Sequence, residues 1–256
     1  MTINLKEKLK NNELTIGSWI TISHLSVIEI MATAGFDWLC VDMEHTSIDL
    51  YTAQILITTI QSKNIKALVR VSKNEEVIIK KVLDMGADGI IVPMIKTREE
   101  AIMAVEFAKY PPVGRRGVGL YRAQGYGTGF EKYKKWVNEE IVIIAQIEHI
   151  EASKNIDNIL SVDGIDGTII GPYDLSGSMG YPGEFDREDV KLAIENVKLS
   201  CVKNNKPYGY HVIESDPQKI KDKIEEGCTF LAYSLDFFFL GDMVRSGMQM
   251  IRRGLI

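Results

Sequence analysis

Eight short apolar runs, each followed by a helical pattern, recur along nearly the whole chain. This alternation constrains the fold more than any other feature. The runs are LTIGSWI (14–20), DWLCVDM (37–43), IKALVRV (65–71), DGIIVPMI (88–95), IVIIAQI (141–147), IDGTII (165–170), PYGYHVI (207–213) and TFLAYSL (229–235). Apolar runs without polar alternation are what parallel strands look like when helices cover both faces of the sheet. Eight such units in 256 residues match the size of a (β/α)8 TIM barrel. No GxGxxG follows the first run, which argues against a doubly wound dinucleotide-binding sheet. The sequence therefore predicts an α/β protein with one barrel domain over 1–256.

The helical segments carry their own signals. In 74–85 the apolar face is expected from Val77, Ile78, the Lys81 stem, Val82 and Met85, at helical spacing. Thr97 and Glu100 form a capping-box pair that opens 97–110. A further helix is expected over 186–204, with Val190, Ala193, Ile194 and Val197 inward. Gly35, Gly86 and Gly227 each separate a helix from the next strand, where a left-handed C-cap suits glycine. The stretch PPVGRRGVGLYRAQGYGTGF (111–130) breaks the rhythm. It is long for a connection in a compact domain and is expected to be a functional loop over the barrel mouth. Within it, Arg115-Arg116 suggests a local anion site at most.

A net charge of −5 and a pI near 5.5 argue against a nucleic-acid partner. No apolar run approaches a membrane span, and MTINLKEKLKNNE lacks the core of a signal peptide. The expectation is a cytoplasmic protein without a membrane partner. Cys40, Cys201 and Cys228 are widely spaced and are expected to be reduced.

In a barrel of this kind catalytic groups gather where the strands end. Those ends offer Asp42, Glu44 and His45, then Arg70, then Gln146, Glu148 and His149. The later strands add Gly171-Pro172-Tyr173-Asp174, His211 and Asp236. A polar residue after a strand can equally be a helix cap. Glu148 and Asp174 are harder to explain so, because two carboxylates facing one pocket repel unless a proton or cation sits between them. Two carboxylates, with other positions left to water and substrate, suit a hard divalent cation such as Mg²⁺ or Mn²⁺. There is no HExxH and no multi-histidine zinc set.

Six motifs in order cover nearly the whole chain: VDMEH (41–45), LVRV (68–71), LDMGADGIIVPMI (83–95), the RRGVG and YRA segments (115–123), QIE (146–148) and GPYDLSGSMG (171–180). With these the chain resembles the HpcH/HpaI aldolase family, metal-dependent class II pyruvate aldolases of the phosphoenolpyruvate/pyruvate-domain barrels. The resemblance implies a divalent metal, Mg²⁺ or Mn²⁺ or Co²⁺, on Glu148 and Asp174. It implies Arg70 at the keto oxygen of pyruvate, and His45, oriented by Asp42, in acid–base chemistry through metal-bound water. Gln146 and the backbone of Gly171, Pro172, Tyr173 and Asp174 would hold the pyruvate carboxylate. Asp84 would lie near the site and Arg122 would face the aldehyde. Glu44 is expected to point away and to be structural.

The implied reaction is reversible cleavage of a 4-hydroxy-2-oxo acid into pyruvate and an aldehyde through a metal-stabilised enolate. Oxaloacetate decarboxylation, a CoA-ester lyase and a non-catalytic barrel that binds a 2-oxo acid are the alternatives. A Schiff-base aldolase needs a lysine at an inner strand end, whereas Lys66 begins a strand and Lys96 follows one. His149, Tyr173 and GYHVIESDP (209–217), with His211, depart from the family pattern around the pocket, and a histidine-rich aromatic rim would suit a hydroxylated aldehyde. The run FFFLGDMVRSGMQMI (237–251) reads first as core packing. The resemblance implies that the helix over 237–256 helps build a homo-oligomer, often a hexamer.

Overall fold

The structure, a computed structural model, describes residues 4–253; residues 1–3 and 254–256, the ends of the expected domain and of its last helix, lie outside them. All eight expected strands form: β1 (Thr15–Ile20), β2 (Trp38–Asp42), β3 (Lys66–Arg70), β4 (Gly89–Val92), β5 (Val142–Ile147), β6 (Gly167–Ile170), β7 (Gly209–Val212) and β8 (Phe230–Leu235). They pair in parallel, in chain order, and close β8 onto β1. The helices are α1 (Leu5–Lys10), α2 (Leu25–Ala32), α3 (Leu50–Ser62), α4 (Glu76–Asp84), α5 (Arg98–Ala108) and α6 (Phe130–Glu139). They continue as α7 (Ile150–Lys154), α8 (Ile156–Leu160), α9 (Pro172–Ser178), α10 (Glu188–Lys203), α11 (Pro217–Glu225) and α12 (Asp236–Arg253).

Two cores result. One fills the shell between strands and helices, with Ile57, Val82, Ala104 and Ile143 among its members. The other fills the barrel itself, where Trp38 stacks on Phe230 at 4.5 Å and Leu5 and Leu9 of α1 close the bottom. A Cβ on Gly17 would overlap the Trp38 ring, so a glycine in β1 is what admits that tryptophan.

Local signals mostly hold. Thr97 and Glu100 complete their capping box. Gly35, Gly86 and Gly227 take positive φ of 84°, 98° and 93°. The three cysteines are buried and free. The face of α4 differs from expectation: Ile79, Val82 and Leu83 are buried while Val77 is 48% exposed. The apolar face is displaced because three apolar residues, Val77, Ile78 and Ile79, run consecutively, which leaves the phase of the helix open. Helix α10 begins at Glu188, two residues after Asp186.

Strands run one way and helices return the other way, so segments after strands share one rim and segments after helices share the opposite rim. The loop 111–130 follows α5 and therefore lies at the N-terminal rim, not over the mouth. Its contacts agree: Arg122 donates to the Met85 carbonyl at 2.7 Å and to Gln61 Oε1 at 2.8 Å, both at the far ends of their helices. Arg116 is not an anion site, since it is fully buried and bonded to Asp84 and the Ala108 carbonyl. The last helix also differs from a core element. Leu240, Met243, Val244 and Met250 of α12 are all more than half exposed, and Asp236 alone is buried along it. Among the described residues no helix is long and apolar enough to cross a membrane.

Candidate active site

Strand register brings the first two groups together. Asp42 and Arg70 are partners at the ends of β2 and β3, so their side chains emerge side by side. Arg70 Nε donates to Asp42 Oδ1 at 2.9 Å and Nη2 donates to Oδ2 at 2.7 Å. The guanidinium lies 4.4 Å from the Trp19 ring centre. Burial opposes ionisation of Asp42, yet the Arg70 hydrogen bonds and charge outweigh it and hold the carboxyl below its usual range.

Asp42 Oδ1 also accepts from the main-chain N–H groups of Glu44, at 3.0 Å, and His45, at 3.4 Å. With these and Arg70, Asp42 is occupied, and it does not orient the His45 imidazole as expected. Glu44 stands in that place instead. Its Oε2 lies 3.6 Å from His45 Nε2 and 3.4 Å from Arg70 Nε, enclosed and without a hydrogen-bond partner. Burial first, then the charges of Glu148, Asp42 and Asp174 against that of Arg70, push the Glu44 carboxyl up to about 7. Far from pointing away, it sits among the site's charges. The strand ends at Asp42, so alternation no longer governs where residue 44 points. His45 itself is 60% exposed at the mouth.

Glu148 leaves the end of β5 and is buried. Its Oε1 accepts from the Met94 N–H at 2.7 Å, and its Oε2 accepts from Gln146 Nε2. Met94 takes φ +54°, uncommon for a bulky residue, and this turn aims its N–H at the carboxylate. Gly171 brings the start of α9 against the same group: a Cβ there would stand 3.1 Å from Glu148 Oε2. Asp174 follows in the first turn of α9, exposed at the mouth. Burial raises the Glu148 carboxyl above its usual range, with Asp174 adding to it and Met94, Gln146 and Arg70 opposing.

These residues suit a hard divalent ion. The charges of Glu148 and Asp174 raise the cost of ionising Glu44, and that of Asp174 raises the cost of ionising Glu148; Glu44 Oε2 and Gln146 Oε1 are enclosed oxygens without partners. All are oxygen donors of the kind Mg²⁺ and Mn²⁺ prefer. Among the described residues no three His, Cys, Asp or Glu side chains are arranged as a ready ligand set, so two carboxylates, Glu148 and Asp174, are the side chains that would hold it.

The groups open on a cleft of about 660 Å³ at the C-terminal rim, lined by Trp19, Asp42, His45, Arg70, Gln146, the segment 171–174, His211 and Phe238. His211 is partly buried on β7, its ring tilted against Trp19 at 5.3 Å. Burial, with the Arg70 charge adding, pushes its imidazole down to about 3, against Asp42 and the Ser234 main chain. His149 is a helix cap, accepting from the Glu151 N–H at 3.2 Å. Asp236 likewise joins strand ends, accepting from the N–H groups of Thr21 and Ile22.

Asp84 and Arg122 are not brought to this cleft. Asp84 ends α4 at the opposite rim, paired with Arg116, and Arg122 is tied to Met85 and Gln61 beside it. A separate hollow at that rim includes Arg122. Trp19 and Met94 belong to the site without having been singled out for it, and Glu44, a strand-end candidate expected to point away, belongs to it as well. Only Glu44 carried a usable signal, as a third carboxyl in VDMEH.

Residues 15–240 match the family model described as HpcH/HpaI aldolase/citrate lyase. The hydroxypyruvate/pyruvate aldolase of Roseobacter denitrificans is 35% identical over 237 residues, 92% of this chain and 91% of that protein. A 4-hydroxy-2-oxo-heptane-1,7-dioate aldolase of Shigella sonnei is 37% identical over 238 residues, 92% of this chain and 90% of that protein. Among solved structures, an HpcH/HpaI aldolase/citrate lyase family protein of Burkholderia cenocepacia superposes with a TM-score of 0.91 at 28% identity, covering 98% of this chain and 100% of that one.

Proposed function

The chain belongs to the HpcH/HpaI aldolase/citrate lyase family, and from that premise we propose that it cleaves a 4-hydroxy-2-oxo acid reversibly into pyruvate and an aldehyde with the help of a divalent metal. It is a carbon–carbon lyase. The observation that carries the reading is the Arg70–Asp42 pair set beside Gln146, Gly171 and Asp174 in one cleft, with Glu148 directly behind Gln146 and Gly171. That arrangement puts a fixed positive charge next to a crowded group of oxygen ligands.

Glu148 and Asp174 would hold a divalent cation, which would supply Lewis acidity toward the bound oxo acid. Arg70, held flat by Asp42 and backed by Trp19, stands where negative charge develops on the keto oxygen and needs no reorganisation to meet it. The pyruvate carboxylate falls to Gln146 and to the first turn of α9. There the Gly171 N–H is used by the Ile147 carbonyl and Pro172 has none, which leaves Tyr173 and Asp174. His45, at the open mouth with Glu44 beside it, moves the proton between the substrate's 4-hydroxyl and solvent.

The exposed apolar face of α12 supports a homo-oligomer, since a face this continuous is of the kind buried at subunit contacts. Asp84 and Arg122 cannot reach the cleft of their own chain, so they enter the reading only as residues presented to a neighbouring subunit.

The test is pyruvate release from a panel of 4-hydroxy-2-oxo acids, stopped by a chelator and restored by Mn²⁺ or Mg²⁺. Release from oxaloacetate alone would make the protein a decarboxylase instead.

A further inference from the structure

The floor of the cleft contains a polar side chain that the reaction does not use. His211 lies on β7 opposite Ala232 of β8, lines the cleft and leans on Trp19. Two of its neighbours have engaged their donors: Arg70 on Asp42, and the Gln146 side-chain N–H on Glu148. The imidazole Nε2 is enclosed and without a partner, and so is Nε1 of Trp19 beside it. Buried polar atoms left open in this way are costly, and two adjoining ones in the floor of a substrate cleft mark a place completed by a ligand.

We propose that His211 is a specificity-determining residue that hydrogen-bonds a hydroxyl group of the substrate, so that the enzyme favours hydroxylated substrates over their deoxy counterparts. This rests on the aldolase reading above and adds the substrate class to it. The charged groups facing the ring are Arg70 and Asp42, and burial among them keeps the imidazole neutral. A neutral imidazole with its other nitrogen turned to the Ser234 main chain leaves Nε2 alone open, a single hydrogen-bonding atom that suits a hydroxyl and gives a carboxylate no counter-charge. Ser234, in the left-handed region at φ +52°, turns its main chain toward the ring where β8 slips register against β1, fixing the imidazole from behind. An aliphatic residue here would leave that hydroxyl unpaired, and sites built to hydrogen-bond a hydroxyl discriminate against analogues lacking it.

The hydroxyl could come from either half of the aldol, and two assays separate the sources. One compares hydroxypyruvate with pyruvate as donor toward a fixed aldehyde; the other compares lactaldehyde with propanal as acceptor for pyruvate. The ratio of kcat/KM values, hydroxylated over deoxy, is read for the wild type, His211→Gln and His211→Leu. The expected result is a preference for the hydroxylated compound in one arm, reduced roughly tenfold by His211→Leu, the loss of one net hydrogen bond, and largely kept by His211→Gln. Should His211→Leu not fold, the same ratio read in His211→Phe takes its place. No wild-type preference in either arm, or an unchanged ratio in the apolar variant, overturns the proposal. Exchange of the pyruvate methyl hydrogens in D₂O is followed in parallel. Its absence from the wild type would sink the aldolase reading itself, a separate failure.

Discussion

Arg70 lays its guanidinium against both oxygens of Asp42, and each is the other's register partner across β2 and β3. The side chains are only 9% and 2% exposed, so neither charge can turn to water if the other is lost. Breaking a buried pair from one side leaves an uncompensated charge, at a cost of about 3–5 kcal/mol. Asp42→Ala should therefore lower stability by that order, read as a fall in the urea midpoint. A loss under about 1 kcal/mol would mean that solvent already reaches Arg70.

His45 and Glu44 form the second pair, and here the expectation is kinetic. Removing an acid–base group slows turnover by roughly 10²–10⁴-fold, so His45→Ala should lower kcat for aldol cleavage by that much. Glu44 acts on the imidazole from 3.6 Å, and Glu44→Gln should cost less. If Glu44 works through His45, adding Glu44→Gln to His45→Ala should change kcat little further. Independent, multiplying losses in the double variant would assign Glu44 another task, and Arg70 at 3.4 Å would be its object.

The carboxylate cluster predicts its own relief. An ion that binds only the folded chain stabilises it by about 2.7 kcal/mol at a hundredfold excess over Kd, or about 5–10 °C in Tm for a chain of this size. Adding Mn²⁺ to chelator-treated protein should raise Tm by that order. In Glu148→Gln the rise should vanish, because the amide offers a neutral ligand in place of an anionic one. A full rise in that variant would move the ion elsewhere.

Much of this was legible in the residue order, for identifiable reasons. Strands covered on both faces must be apolar throughout, so IVIIAQI announces β5 to within one residue. Strand ends converge by the closure of the barrel, so Asp42, Arg70, Glu148 and Asp174 could be collected before any coordinate was known. The rim occupied by 111–130 was misread although the order of elements settles it: a segment that follows a helix cannot reach the mouth of its own barrel. The position of Glu44 was hidden for a different reason. Once a strand ends, side-chain direction depends on the turn, and here Asp42 shapes that turn by accepting two main-chain N–H groups. Met94 was equally hidden, since a positive φ on a methionine leaves no mark in the sequence.

His211 also ties stability to pH. Its imidazole sits near 3 in the folded chain, while an unfolded histidine titrates near 6.5. Below pH 6.5 the unfolded state takes up a proton that the folded state refuses, so stability present above that pH drains away as the pH falls toward 3. Between pH 7 and pH 5 this single group accounts for up to about 2 kcal/mol. Other side chains titrate over the same interval, and comparison with a variant removes them from the result. The urea midpoint of the wild type should therefore fall further from pH 7 to pH 5 than that of His211→Leu. Equal falls would mean that the ring accepts a proton inside the barrel, which would leave Arg70 facing a second positive charge across the cleft floor.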